Sequence, residues 1–142
     1  MARVKRAKQL EFLEAVPLFT GLSKADLTKV ARITEQVAVP EGTVLAEEGG
    51  PGNAFYLLVT GRAAVRRKGR KIAEMGPGDF FGEVALLDAG PRSATVVTLE
   101  AAELFVIHPK DFAGLIGVPS VARKLLAGLA ARLRAADRRI ID

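Results

Sequence analysis

Arg92 and Ser93 stand side by side after Pro91, nine positions beyond Glu83, and Glu83 itself follows Gly82. Arginine presents a planar fork of donors that can hold a phosphate at two points. The adjacent Ser93 hydroxyl adds a further donor. Glu83 suits a phosphate poorly, being an anion, but a carboxylate accepts strongly from a sugar hydroxyl. The run from Glu83 to Leu87 reads as a short helix starting behind a glycine. The first N–H groups of such a helix and the positive end of its dipole favour an anion. Phosphate and ribose held at one loop make a nucleotide pattern. Taken singly, Arg92 could be an exposed loop arginine and Glu83 an acid stabilised by the helix dipole.

Other chemistry is scarce. The 142 residues contain no cysteine and one histidine, His108. Disulfides, zinc fingers and thiol catalysis are therefore excluded, as is any site built from two or three imidazoles. An enzyme on a cupin-like barrel would need such a His-rich metal constellation. No catalytic residue, metal or cofactor is expected. His108 closes a strand and is read as structural. No apolar run approaches the ~18 residues of a membrane span. The N-terminus is basic without a following apolar stretch and is no secretory signal. A cytoplasmic protein is expected.

The net charge of +5 is unevenly spread. Basic residues gather at Arg3, Lys5, Arg6 and Lys8, at Arg66, Arg67, Lys68, Arg70 and Lys71, and along the last segment from Arg123 to Arg139. The remaining chain is acidic. Blocks of like charge are more often solvated tips and faces than nucleic-acid footprints.

The elements that must position the Gly82–Ser93 segment can be read from periodicity. Val4, Ala7, Leu10 and Leu13 predict an amphipathic helix over 3–15, broken by Pro17. Ser23, with Asp26 three residues on, resembles a capping box opening a helix through Leu27, Val30 and Ala31. From residue 36 the period shortens to that of strands: QVAV, TVLAE, AFYLLVT, RAAVRR, KIAEM, SATVVTL and AELFVIH. Glycine- and proline-rich turns separate them, the pattern of a sandwich or barrel. Lys68-Gly69-Arg70 reads as a hairpin tip, its charge as solvated, and Asp79 as a turn former. Helical periodicity returns after His108, with Pro109 and Pro119 as helix openers. In the last helix Val121, Leu125, Leu129, Leu133, Ala136 and Ile140 form one stripe that must cover something. Arg132 falls inside that stripe, where it either snorkels or meets a partner.

The run Phe80-Phe81-Gly82-Glu83-Val84-Ala85-Leu86-Leu87-Asp88-Ala89-Gly90-Pro91-Arg92-Ser93-Ala94-Thr95 closely resembles the phosphate-binding cassette of cyclic nucleotide-binding domains. This module is shared by catabolite-activator-type regulators, cyclic-nucleotide-gated channels and protein-kinase regulatory subunits. The segment Glu48 to Tyr56 with Gly61 resembles the family's glycine-punctuated early strands. The likeness extends over about residues 15–135. It implies an α+β, mainly β, fold: a double-stranded β-helix (jelly-roll) barrel at 36–108, leading helices at 1–35 and closing helices at 109–142, in a single domain of 1–142.

Carried over by residue, the resemblance implies that Glu83 holds the ribose 2′-hydroxyl and Arg92 the cyclic phosphate. The N–H groups of Gly82, Val84, Ala85 and Ser93, with the Ser93 hydroxyl, complete the cradle. Arg132 lies where a lid helix would meet the base, and Val65 and Met75 are either walls for the base or core packing. Asn53 replaces the family's usual Asp in an outer loop, and Gly50 is atypical there. The residue after the cassette arginine is often Thr where cyclic GMP is favoured and Ala where cyclic AMP is. Ser93 falls between, and cyclic AMP is the preferred reading, with cyclic GMP as the alternative ligand.

The expected function is that of a sensor, not an enzyme, converting occupancy into movement of its C-terminal helix. The alternative is the sensor portion of a catabolite-activator-type transcription regulator or of a cyclic-nucleotide-regulated ion channel. The expected partners are the cyclic nucleotide, a downstream protein or effector domain, and possible self-association as a homodimer. No recognition helix follows the last amphipathic helix, so direct DNA binding is not expected.

Overall fold

The computed structural model describes residues 2–3, 6–51, 54–82 and 91–136. Glu83, Val84 and Ala85 lie outside these described residues, as do Asn53 and the side chain of Arg132.

The chain opens with a two-residue strand, β1 (Ala2–Arg3), and helix α1 (Arg6–Ala15). Of the helix expected over 3–15, Arg6–Ala15 is helical, whereas Arg3 belongs to β1, where Ala2 and Arg3 pair with Ala38 and Val37. A 3-10 turn (Pro17–Phe19) leads to α2 (Lys24–Ile33). The Ser23 hydroxyl accepts from the Asp26 N–H at 3.1 Å, satisfying one of the helix's orphan donors as the capping pattern predicts.

Strands β2 (Glu35–Val39), β3 (Val44–Ala46), β4 (Phe55–Thr60), β5 (Ala63–Arg67) and β6 (Arg70–Met75) follow. Then come the two-residue β7 (Phe80–Phe81), β8 (Thr95–Thr98) and β9 (Ala102–Ile107). Each of the seven runs read as strands forms one; β1 and β7 were not foreseen, being too short to show a period. After a 3-10 turn at Pro109–Asp111 come α3 (Phe112–Ile116) and α4 (Pro119–Ala136). Pro109 therefore opens a 3-10 turn rather than the helix itself.

Among the described residues the strands form two antiparallel sheets, in the orders β1-β2-β9-β4-β7 and β3-β8-β5-β6. This is the expected mainly β, double-stranded β-helix (jelly-roll) architecture with helices attached. The two-faced strand β4 shows how the core is divided. Phe55 and Leu57 join Leu13, Val16, Phe19, Val30, Leu115, Val121 and Leu125 in a cluster between the sheet and the helices. Leu58, one position over, belongs with Val37, Val39, Leu104, Val106, Ala63, Met75 and Val96 in a second cluster that draws on both sheets. Alternation along one strand serves both cores, since successive side chains point to opposite faces. Each buried Phe or Leu contributes about 1.5–3 kcal/mol relative to exposure.

The stripe on α4 is buried over only part of its length. Val121 and Leu125 are in the core, but Leu133 is 59% exposed. No single helix among the described residues is long and apolar enough to cross a membrane.

Candidate functional site

Arg92 sits in the segment leading into β8 and is only 7% exposed. Burying a guanidinium requires partners for it. Its Nη2 donates to the Ala54 carbonyl at 2.5 Å, which ties it to the start of β4. Its main chain is fixed as well: the Arg92 N–H donates to the Gly50 carbonyl, and the Gly49 N–H donates to the Arg92 carbonyl, both at 2.8 Å. These two rungs bind the 47–51 loop to Arg92 as a short piece of sheet would. Arg92, Leu45, Ala46, Glu47, Gly50 and Pro51 line a cleft of about 320 Å³. That is at the lower end of the size range of small-ligand pockets.

Gly82 faces the same guanidinium. Its φ is +102°, in the region that side-chain-bearing residues rarely adopt. A Cβ there would lie 2.4 Å from the Ala54 carbonyl oxygen and 2.8 Å from Arg92 Nη1. Gly82, Ala54 and Arg92 are therefore one packed unit, and the absence of a side chain at 82 is what admits the arginine.

Ser93 is exposed beside the buried arginine, and its carbonyl accepts from Arg67 Nε at 3.0 Å. Tyr56, on β4, stacks on Phe81 with ring centroids 4.9 Å apart. Burial pushes the Tyr56 phenol above its ordinary value, and the Arg92 guanidinium opposes that rise. The electrostatic coupling places the only tyrosine in the chain within the field of the site. Leu45, Tyr56, Val65 and Phe81, each partly buried, pack around the second core cluster.

Met75 is 9% exposed and packs in that cluster, as Val65 does from its half-buried position. Their positions are those of core residues at the inner face of the β5–β6 pair. Glu83, Val84 and Ala85 lie outside the described residues, so Gly82, Arg92 and Ser93 are the cassette positions brought together here. Arg132 belongs to α4, one turn beyond Gly128. Gly128 brings α4 close against the barrel: a Cβ on it would meet Phe80 Cζ at 2.7 Å. Phe80 in turn packs on Phe55, with ring centroids 5.7 Å apart. Lys124 Nζ donates to the Thr20 carbonyl at 2.7 Å and ties the same helix to the leading segment.

Sequence reasoning missed three contributors. The Ala54 carbonyl has no signature, because every residue carries one. Gly49 and Gly50 read as an outer loop, yet their main chain holds Arg92. The hairpin tip is exposed as expected, but it is not merely solvated: Arg67 reaches Ser93, and the Lys68 N–H donates to Glu48 Oε1 at 2.8 Å. Asp79 does form the predicted turn, its Oδ2 accepting from the Gly76 N–H at 2.8 Å. Among the described residues no group of His, Cys, Asp or Glu could hold a metal ion.

A buried arginine is thus held against a positive-φ glycine, beside an exposed serine and a small cleft, in a jelly-roll barrel. Residues 36–117 match the model of the cyclic nucleotide-binding domain, and the chain belongs to that family. It is 37% identical over 131 residues to the cyclic AMP receptor protein of Thermus thermophilus, covering 88% of this chain and 61% of that protein. It is 39% identical over 108 residues to a cAMP-dependent protein kinase regulatory subunit of Aspergillus fumigatus, covering 75% of this chain and 26% of the other. A cAMP-binding acyltransferase from Mycobacterium smegmatis shares the fold with a TM-score of 0.79 and 29% identity, over 92% of this chain and 42% of the other. The chain thus spans less than two thirds of each of these relatives.

Proposed function

We propose that the chain is a cyclic nucleotide sensor, with cyclic AMP preferred over cyclic GMP. The observation that carries this reading is Arg92, a cation kept buried by a main-chain carbonyl at the edge of a cleft. A guanidinium so held needs little reorganisation to receive a phosphate, and a charge-assisted pair formed there is stronger than one in open solvent. In this reading Arg92 grips the cyclic phosphate. The Ser93 hydroxyl and N–H and the N–H groups of Gly82, Val84 and Ala85 complete the cradle. Glu83 accepts from the ribose 2′-hydroxyl. Val65 and Met75 stand behind the base.

The helix α4 is the output element. It touches the barrel at Gly128 against Phe80, next to the cassette, and Arg132 supplies a contact to the base one turn further on. A ligand shifts α4 only through its differential affinity for the closed state, and a contact made by Arg132 in that state alone supplies the difference. The chain works as a single domain, in the cytoplasm and without catalysis of its own. It passes the signal to a downstream protein or effector segment and self-associates as a homodimer. The regulatory relatives, each longer than this chain, support that division of labour.

Calorimetry and thermal shift with cyclic AMP, cyclic GMP and 5′-AMP test the reading, since stabilisation follows RT ln(1 + [L]/Kd). Cyclic AMP should stabilise most and 5′-AMP least. Arg92→Ala should weaken cyclic AMP by at least about tenfold, one decade being about 1.4 kcal/mol. Equal shifts with 5′-AMP and cyclic AMP, or unchanged affinity in the variant, would reject the assignment.

A further inference from the structure

We propose that Arg67, near the tip of the β5–β6 hairpin, is a positioning residue for the phosphate loop that acts through Ser93. This rests on the cyclic-nucleotide reading of the site.

The ladder between β5 and β8 pairs Ala63 with Thr98, Ala64 with Val97, Val65 with Val96 and Arg66 with Thr95, and stops there. One residue further on, β8 gives way to the Arg92–Ala94 loop. Where the next rung would fall, the Arg67 side chain takes over: Nε donates to the Ser93 carbonyl at 3.0 Å. A side chain thus continues the sheet into the loop. The opposite side of the loop is held by the Gly49 and Gly50 rungs to Arg92. Glu48 joins the two sides, since its carboxylate accepts from the Lys68 N–H at 2.8 Å and its own N–H donates to Thr95 Oγ1 at 3.0 Å. Residues 48–50, 67–68 and 92–95 form three corners of one set of bonds, with Arg92 and Ser93 in the middle.

The hairpin is shaped to place Arg67 there. Lys68 and Gly69 both have positive φ, 53° and 78°, the two-residue turn whose twist matches the flanking strands. The pairing passes from Val65↔Ala73 to Arg66↔Lys71, so Ile72 is left as a bulge just before the tip. Such a bulge increases the local twist and re-aims the residues beyond it. Lys71, in the same basic cluster, is engaged with Glu74 instead. The Arg92 side chain is fixed by Ala54, and the Gly49 rung holds the peptide that carries the Ser93 N–H. The next peptide, between Ser93 and Ala94, is held through its carbonyl by Arg67, and with it the backbone that aims the Ser93 hydroxyl.

The test uses the full chain with three substitutions. Arg67→Ala removes charge and bond, and Arg67→Lys keeps the charge but loses the planar Nε donor. Lys68→Asn removes a neighbouring charge while tolerating the left-handed backbone. Calorimetry follows cyclic AMP and its Sp and Rp phosphorothioates, in which sulfur replaces one or the other exocyclic oxygen. Both Arg67 variants should weaken cyclic AMP by about three- to tenfold and change the ratio of the Sp and Rp dissociation constants. Lys68→Asn should leave affinity within about twofold. If Arg67→Lys is harmless and Arg67→Ala matches Lys68→Asn, the effect is charge alone and the proposal is overturned. Equal weakening of all three ligands with an unchanged ratio marks a merely structural role and also overturns it. Absence of binding by the wild-type chain would instead reject the cyclic-nucleotide reading. Amide exchange at Gly49 and Arg92 in the ligand-free variants then decides the bracing: faster exchange in Arg67→Ala than in Lys68→Asn supports it, and equal rates overturn it.

Discussion

Replacing Gly82 by alanine adds one methyl group and attacks the site from the backbone. At φ +102° an alanine sits outside its allowed regions, a strain of about 1–3 kcal/mol. The new Cβ would also meet the Ala54 carbonyl oxygen at 2.4 Å and Arg92 Nη1 at 2.8 Å. Neither neighbour can yield freely, because each is the other's hydrogen-bond partner. Relieving the overlap lengthens that bond, and loss of a buried charged hydrogen bond costs about 1.5–3 kcal/mol. Together Gly82→Ala should destabilise the fold by about 3–5 kcal/mol, or roughly 10–15 °C in Tm for a chain of this length. It should also weaken cyclic AMP by at least about tenfold, since the displaced group is the one proposed to receive the phosphate. Gly61→Ala is the control. Its φ is +91° and its Cβ would come within 2.7 Å of Ala101 O and Ala102 Cβ, away from Arg92. It should lose comparable stability while folded protein binds normally. Urea unfolding and calorimetry on both variants give the answer. A Gly82→Ala protein within about 0.5 kcal/mol of wild type, or one that keeps full affinity, refutes the reasoning.

The single tyrosine, with no tryptophan present, makes Tyr56 ionisation readable by absorbance. Its folded-state pKa is raised by burial, so the protonated phenol contributes stability that is complete below the unfolded value and is lost as pH rises through the folded value. Stability should therefore fall as pH rises from the unfolded to the folded value, and Arg92→Met should push the phenol higher still by removing the opposing charge. A phenol in that variant titrating lower than in wild type would contradict the assigned causes. Ser23→Ala should cost about 1 kcal/mol through the lost cap of α2, measured by chemical unfolding, and leave ligand affinity unchanged.

The strand period was legible because turns punctuate it: Lys68-Gly69-Arg70 marks the β5–β6 hairpin, although Arg70 already pairs with Arg67 as the first residue of β6, and the Pro119 and Ser23 helix starts follow from fixed backbone chemistry. Arg92 was legible as a donor because its side chain is its chemistry. Its support was not, since the Ala54 carbonyl and the Gly49 and Gly50 main chain carry no letter in the sequence. The α4 stripe promised burial along its whole length, yet periodicity reports which residues share a face and not where the surface beneath them ends. Leu133 lies past that end. The bond from Arg67 to Ser93 was hidden for a related reason: a basic cluster gives its net charge, while only the register of β5 against β8 shows which member meets the loop.

The rungs joining Arg92 to Gly49 and Gly50, and its bond to Ala54, connect positions some forty residues apart in the chain. Contacts of such long sequence separation form only after considerable loop-closure entropy has been spent. The proposed phosphate grip therefore forms only with the long-range part of the fold and is absent from any stretch of chain ending before Arg92. A ligand that needs this grip finds nothing to hold in the early, partly ordered states. It should leave the folding rate nearly unchanged and slow unfolding instead. On this view, competence to bind and completion of the barrel are a single event.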